Sequence, residues 1–322
     1  MRRVRSITQL HKIDCNPVPD IRNEILLFMV VRNEALRLPY MFKYYFSCGV
    51  NRMFIVDNGS TDDTISFLLS QRNTHVFQTK EGYSHQSVWV DILLHHYGVG
   101  HWCLVLDADE IAVYPYWETL TLRDLTNFLD LEGYNAAQFL LLDMYSNGPI
   151  YLVSYSQGEN PILTTPYFDP EPYYYKRRWI FGKTNVRFNL DESAAKSIFG
   201  GMRKRVFGLE ANLSKFPLIK FNPCMRLSRG AHLIRGARIA NMRGVLFHFK
   251  FFNDFLGRVA EEVKREEHWK KAFEYKRYMK KINQNSELSL YYSKSGKFSN
   301  SNQLVKLGIM KSSEKLDVFV QK

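Results

Sequence analysis

Four apolar runs, each the length of a strand, constrain this chain more than any other feature. The first is Ile25 to Val31, seven apolar residues without interruption. Arg32-Asn33-Glu34 follows at once, then a helical pattern from Ala35 to Cys48. The second, Arg52-Met53-Phe54-Ile55-Val56, runs into Asp57-Asn58-Gly59-Ser60-Thr61-Asp62-Asp63-Thr64, with a helix from Asp62 to Ser70. Ser60 or Thr61 can cap that helix, and Asp62 and Asp63 suit its positive end. The third, Thr74 to Thr79, precedes a helix from about Ser84 to Tyr97, and the fourth is His101-Trp102-Cys103-Leu104-Val105-Leu106. Short apolar runs bounded by turn residues read as buried strands. Strands that alternate with helices imply an α/β fold with a parallel, doubly wound sheet. Such sheets bind ligands beyond the carboxyl ends of their strands.

The fourth run ends in Asp107-Ala108-Asp109-Glu110. Side chains alternate along a strand, so Asp107 and Asp109 point the same way where it stops. Carboxylates there are costly to bury unless something pairs them. A divalent cation is the usual partner of two hard oxygen donors, and one with open positions can hold a diphosphate. A solvated Asp-rich turn is the alternative. Glu34, Asp57, Asp107 and Asp109 all fall at carboxyl ends, so they are expected to converge on one crevice.

Beyond Asp109 the pattern changes. Glu118 to Leu131 reads as a helix leading into a strand, Ala136 to Met144. From Asn147 to Asn189, five prolines (Pro149, Pro161, Pro166, Pro170, Pro172) and a run of tyrosines (Tyr167, Tyr173, Tyr174, Tyr175) predict a loop-and-hairpin insertion. Long ordered loops are often binding loops; aromatic rings there stack on sugar faces or simply pack. In Phe199-Gly200-Gly201-Met202-Arg203-Lys204-Arg205-Val206-Phe207, two glycines allow close approach of a ligand, and the cations beside them suit a phosphate. A solvated basic turn is the other reading. His232 follows Gly230-Ala231, and His248 stands in the apolar stretch Val245-Leu246-Phe247-His248-Phe249-Lys250. Asp254 to Ile282 predicts one long basic amphipathic helix, either a covering helix with a solvated face or a contact with an anionic membrane. The tail, Asn283 to Lys322, is rich in serine and lysine and predicts only partial order.

Val31-Arg32-Asn33-Glu34, Ile55 to Thr64 and Leu106-Asp107-Ala108-Asp109-Glu110, in that order and spacing, resemble family 2 glycosyltransferases of the GT-A fold. The resemblance covers Ile25 to about Ile111. The remainder is similar to a bacterial subgroup carrying Gly-Gly-x-Arg-Lys-Arg and a late His-x-Lys, matched here by Gly200 to Arg205 and by His248 and Lys250. It implies a GT-A nucleotide-sugar-binding sheet with helices on both faces and an elaborated C-terminal half. Val31, Arg32, Asn33, Glu34, Asp57 and Asp107 would bind the nucleotide. Asp107, Asp109 and His248 would hold Mn or Mg. Arg203, Arg205, His232 and Lys250 would meet the diphosphate or acceptor. The expected reaction is sugar transfer from a nucleotide sugar, a UDP-sugar first among them, to a glycan or lipid-linked acceptor, with inversion, in bacterial surface polysaccharide synthesis. Inversion needs a carboxylate base. Asp143, at the end of the strand after the metal segment, is the expected base, with Asp169 and Asp191 as alternatives.

The chain has 322 residues and a net charge of +12, from 44 basic and 32 acidic residues. Such a balance suggests an anionic partner. The segments divide as an N-terminal arm (1–22), a catalytic domain (23–282) and a tail (283–322). Within the domain, 23–111 forms the nucleotide half, 112–250 the acceptor half and 251–282 the basic helix. Cys15, Cys48, Cys103 and Cys224 have no metal or redox spacing, which points to reduced thiols. Met1-Arg2-Arg3-Val4-Arg5 lacks a following apolar stretch, and no segment approaches a membrane span of about 20 apolar residues. A cytoplasmic enzyme, either free or peripheral on the inner membrane face, is expected. Two other classes compete. A nucleotidyltransferase would need a glycine- and lysine-rich loop after the first strand, where this chain has Val31-Arg32-Asn33-Glu34. A nucleic-acid-binding protein would need basic residues interleaved with aromatics on a recognised module, and an acidic crevice argues against it.

Overall fold

The computed structural model describes residues 10–177, 196–228, 230–267 and 269–321. A nine-stranded mixed sheet organises them. Its strands, in chain order, are β1 (His11–Lys12), β2 (Ile25–Val31), β3 (Arg52–Asp57), β4 (Thr74–Gln78), β5 (Trp102–Val105), β6 (Glu110–Val113) and β7 (Ala136–Asp143). After β8 (Tyr167–Phe168), β9 (Tyr173–Arg177) and β10 (Lys196–Gly200), the chain returns to the sheet as β11 (Ser214–Lys220). It leaves again through β12 (Arg226–Ser228) and β13 (Leu233–Arg235), then closes the sheet with β14 (Ile239–His248). A last short strand, β15 (Gly296–Lys297), pairs with β8. The spatial order is β1-β4-β3-β2-β5-β11-β7-β14-β6.

The first half matches the expected pattern. β4, β3, β2 and β5 are parallel neighbours. The sheet as a whole is not the parallel one expected. β11 enters antiparallel between β5 and β7, and β1 and β6 are antiparallel edge strands. β14 runs parallel to β7. Six strands therefore point one way and end at one edge.

The run Ile25–Val31 shows why the sheet has helices on both faces. Ile25, Leu27, Met29 and Val31 enter one core, and Leu26, Phe28 and Val30 enter the other. A strand buried on both faces reads as continuously apolar, as this one does. On the first face pack α1 (Leu38–Ser47), α2 (Thr64–Ser70) and, after α3 (Gln86–Leu93) on the opposite face, α4 (Leu122–Leu131). Thr121 and Asp124 form a reciprocal capping box at the start of α4, worth about 1 kcal/mol. The cap expected at Ser60 or Thr61 is absent. Asp62 accepts the Thr64 N–H at 3.1 Å, while Ser60 Oγ accepts from Asn33 N–H at 2.9 Å. The loops after β2 and β3 are thereby tied together.

Three further departures concern the second half. The Gly-Gly segment is a helix, α5 (Gly201–Phe207), not a ligand loop. Gly200 and Gly201 have φ of +118° and +63°, and a Cβ on Gly200 would lie 2.1 Å from the Pro172 carbonyl oxygen. Here the glycines permit close chain packing. The basic helix is two helices, α6 (Phe255–Arg265) and α7 (Trp269–Gln284), with Glu266 left-handed between them. With α5 they share a third apolar cluster, including Phe207, Phe251, Phe255 and Tyr278. The tail is ordered over its described residues. Asn300 caps α8 (Ser301–Lys306), Ser313 caps α9 (Glu314–Val320), and Leu304, Ile309, Met310 and Leu316 are buried in the main core. All four cysteines are free, and among the described residues no helix is long and apolar enough to cross a membrane.

Candidate active site

β7 and β14 end at the shared edge, while antiparallel β6 starts there. In register across them, Asp143 stands opposite His248, and His248 opposite Glu110. The turn from β5 to β6 carries Asp107 and Asp109 to the same place, and Phe249 N–H donates to the Asp109 carbonyl at 2.8 Å. Topology alone thus gathers the acidic segment and the late histidine, far apart in sequence.

Asp107, Asp109, Glu110 and His248 line a cavity of about 260 Å³. Glu34, Asp107, Asp109, Arg203, His232, His248 and Lys250, all expected site residues, are in its wall. So is Arg32. Helices α6 and α7 roof it with Arg258, Glu262, Arg265, Glu274 and Tyr275. Six Lys or Arg and six Asp or Glu side chains face it, so it is a charge-balanced pocket and not a basic groove.

His248 is the pivot. It is 6 % exposed. Its Nδ1–H donates to Asp143 Oδ1 at 2.6 Å, and its Nε2 lies 3.2 Å from Asp109 Oδ2. Burial pushes the imidazole pKa down, but Asp109 and Asp143 outweigh it and raise it. Burial likewise pushes Asp109 up, and His248, Lys250 and Arg37 pull it well below the usual carboxylate range. A carboxylate on one ring nitrogen is how proteins orient a histidine whose other nitrogen binds a metal; Asp143 stands in that position, and Asp109 with His248 Nε2 are the groups here that could hold a cation.

Asp107 faces elsewhere. Its Oδ2 accepts from Lys215 Nζ at 2.7 Å and its Oδ1 from Gln86 Nε2 at 3.3 Å. The same ammonium donates to Glu110 Oε1. Lys215 is 3 % exposed on β11. Burial disfavours its charge, yet Asp107 and Glu110 raise its pKa above that of an ordinary lysine. Burial pushes the Glu110 carboxyl up to about 7 despite Lys215. Among the described residues no three His, Cys, Asp or Glu side chains stand together as a preformed metal group. Lys215 was not foreseen as a site residue. β11 contains Pro217, which argues against a central strand, and the strand accommodates it with a shift of register between Lys215 and Leu218.

Asp143 is not placed as a base. Arg203 Nε and Nη2 donate to both its oxygens at 2.9 to 3.1 Å. Burial pushes the carboxyl up, but Arg203 and His248 hold it down at about 2. It is also absent from the cavity wall. Asp169 is no better. Arg205 grips it with two bonds of 2.7 and 2.8 Å, and Tyr145 adds a third. Arg205 also donates to the Leu290 carbonyl and lies over the Tyr292 ring. Its partners are structural, and it is not among the residues that line the cavity. Asp191 lies outside the described residues.

The nucleotide residues divide in the same way. Asp57 is fully buried and accepts from the backbone N–H of Gly59 and Ser60, so it shapes its own turn, and it is not among the residues that line the cavity. Val31 is buried, and Asn33 Oδ1 accepts the Thr61 N–H at 2.8 Å. Arg32 Nη1 donates to the carbonyls of Asn58 and Gly59, both at 2.9 Å. Glu34 stays on the cavity, ion-paired with Arg258 and Arg37. His232 Nδ1–H donates to the Ser214 carbonyl at 2.8 Å, and burial with Lys215 nearby pushes its pKa down to about 4. It is a neutral imidazole on the cavity wall. Lys250 sits 4.6 Å over the Tyr275 ring, with Glu274 at 3.9 Å.

No family model matches the chain, and no curated protein is similar to it in sequence.

Proposed function

We propose that this chain is a metal-dependent glycosyltransferase of GT-A type. It would move a sugar from a nucleotide sugar, with a UDP-sugar as the first candidate donor, to a glycan or lipid-linked acceptor with inversion. The supporting observation is that Asp107, Asp109, His248 and Glu34, from three separate segments, line one cavity at the carboxyl edge of the sheet. Three of the four belong to the motifs that resemble family 2 enzymes. Asp109 and His248 would hold Mn or Mg, which when bound neutralises a leaving nucleoside diphosphate as a Lewis acid.

The protein's own groups have separable tasks. Lys250, Arg258 and Arg265 place positive charge around the diphosphate. Each is paired with a carboxylate in the unliganded chain, so an anionic ligand exchanges partners instead of meeting bare charge. Asp143 and Arg203 lock the His248 ring. Residues of α6 and α7 line the cavity, and charges on a donor held there would be screened less than in bulk solvent. The base that takes the acceptor proton is sought among Glu34, Glu110 and Glu262, which reach the cavity where Asp143 and Asp169 do not. The basic outer face of α7 (Lys276, Arg277 and Lys280) suits a peripheral contact with an anionic membrane.

The test is a thermal-shift and calorimetric screen of nucleotide sugars with and without Mn, followed by turnover in the Asp109→Asn variant. Metal-dependent UDP binding is expected, with turnover abolished and the melting temperature preserved in the variant. Full activity in EDTA, or unchanged activity of Asp109→Asn, would refute the proposal.

A further inference from the structure

His232 reaches the cavity from a turn that the sheet holds in place. Gly230 and Ala231, just before it, both have φ of +62° in the turn between β12 and β13. That turn is fastened to β11 twice. Phe216 N–H donates to the Ala231 carbonyl at 2.9 Å, and His232 Nδ1–H donates to the Ser214 carbonyl at 2.8 Å. A carbonyl only accepts, so Nδ1 carries the proton. Burial, with the charges of Lys215 and Arg203 nearby, opposes a second proton and outweighs the Ser214 bond and Asp107. The ring is therefore held as one neutral tautomer, with a bare lone pair on Nε2. Among the described residues that nitrogen takes no hydrogen bond, and it is not sealed in as a buried orphan. His232 lines the cavity.

A lone pair at this point selects its partner by charge. It repels the anionic oxygens of a diphosphate. A metal ion there would meet the same positive charge of Lys215 and Arg203 that keeps the second proton away. The group that fits is a neutral donor. We infer that His232 Nε2 accepts a hydrogen bond from a sugar hydroxyl in the cavity, and so helps to set which sugar the site takes. The inference rests on the glycosyltransferase reading of the site. Sugars of one size differ in the direction of single O–H groups, and an acceptor fixed by the backbone serves one direction and not the other. A site that hydrogen-bonds a substrate hydroxyl also rejects the analogue lacking it. His232 is on this account a positioning residue and takes no proton in the reaction. The hydroxyl belongs to the donor sugar or to the acceptor glycan, and both present the same chemistry.

The experiment uses the full chain with Mn present. UDP, UDP-glucose, UDP-galactose and UDP-N-acetylglucosamine are the probes in calorimetry, and octyl glycosides of the same sugars are the acceptor probes in transfer assays. His232→Asn keeps an amide N–H for the Ser214 carbonyl but is too short to place an acceptor where Nε2 stands. His232→Gln reaches that position with its amide oxygen. In His232→Asn the best-bound UDP-sugar should bind about 3- to 10-fold more weakly, the size of one neutral hydrogen bond, with the affinity for UDP unchanged. His232→Gln should recover part of the loss. In wild type, replacing one particular sugar hydroxyl by hydrogen should cost a similar factor, and the same replacement should cost His232→Asn nothing further. If the loss falls on KM for an octyl glycoside while donor affinity holds, the hydroxyl is the acceptor's and the inference stands. Should His232→Asn fail to fold, the deoxy series on wild type and His232→Gln decides, and a series in which no single hydroxyl matters overturns the inference. Unchanged affinity for every donor and acceptor sugar in folded His232→Asn also overturns it. So does an equal loss for UDP alone, which would make His232 a nucleoside contact, or a raised Mn requirement with sugar affinity intact, which would make it a metal ligand. A wild-type chain that binds none of the UDP-sugars refutes the glycosyltransferase reading itself, a distinct outcome.

Discussion

The sharpest test of the site concerns Asp143, which sequence reasoning makes the base and the structure makes a clamp. Asp143→Asn keeps the shape and an oxygen for His248 Nδ1–H but removes the charge that Arg203 grips. Arg203 is buried and, among the described residues, retains Glu274, at 3.2 Å, as its ion-pair partner. The stability cost should stay below the ~3–5 kcal/mol of removing one member of a buried pair outright. The functional cost follows from the 2.6 Å bond to His248. Losing the outer partner of a metal-bound histidine weakens metal binding by about 10- to 100-fold, which is about 1.4 to 2.7 kcal/mol. The variant should therefore need 10 to 100 times more Mn for half-maximal transfer. At saturating Mn its kcat should come within a few-fold of wild type. Loss of a base predicts the opposite pattern: a rate lower by about 10² to 10⁴ at every metal concentration, with the metal requirement unchanged. Mn titrations of sugar release from a UDP-sugar, paired with direct Mn binding, separate the two. A rate loss above 10² that excess Mn does not restore would refute the clamp.

His248→Ala should raise the metal requirement more for Mn than for Mg, since imidazole suits Mn and Mg prefers oxygen. A loss of melting temperature with an unchanged metal requirement would make His248 a mere packing residue. Gly200→Ala forces a Cβ to 2.1 Å from the Pro172 carbonyl at a φ of +118°. Backbone strain and overpacking, each about 1–3 kcal/mol, should add in a denaturant melt, and a loss under about 1 kcal/mol would show that the chain gives way there. Truncation after Lys297 removes Leu304, Ile309, Met310 and Leu316 from the core. At ~2–5 kcal/mol for losing one such side chain, the shortened chain should fail to fold cooperatively in a chemical melt. An unaltered midpoint would show the tail to be dispensable.

Much of the fold was legible because the first half obeys local rules. Ile25–Val31 is a strand to the residue, and β3, β4, β5 and β7 fall within two residues of their expected ends. In these segments the sequence period and the burial agree. The second half is less legible, for identifiable reasons. Ser214–Lys220 carries a proline mid-strand, so β11 follows from tertiary pairing on both sides and not from propensity. The helices of the tail are only six and seven residues long, too short to stand alone. Capping by Asn300 and Ser313 and burial of a few leucines and methionines hold them. The break between α6 and α7 has no proline or glycine to mark it. Glu266 adopts φ +51° there, and the basic pattern continues across it.

The site shows the same division more finely. Carboxyl ends of parallel strands can be read from sequence, so the convergence of Glu34, Asp107 and Asp109 was foreseeable. Asp57 was also expected there, but its carboxylate closes its own turn. Composition reveals a carboxylate at a strand end and not which partner it faces. The basic segment makes the point geometrically. Arg203 and Arg205 look equivalent in a motif, but α5 is a helix, and two residues along a helix differ by about 200° of rotation. Only one of them can face the crevice. Phe207 and Met202 are buried in the cluster shared with α6 and α7, which fixes the helix phase. That phase turns Arg203 toward Asp143 and His248 and sends Arg205 to Asp169 and the Leu290 carbonyl. The apolar neighbours of the motif decide which arginine serves the site, so a substitution at Met202 or Phe207 that rotated the helix would disturb His248 without touching it.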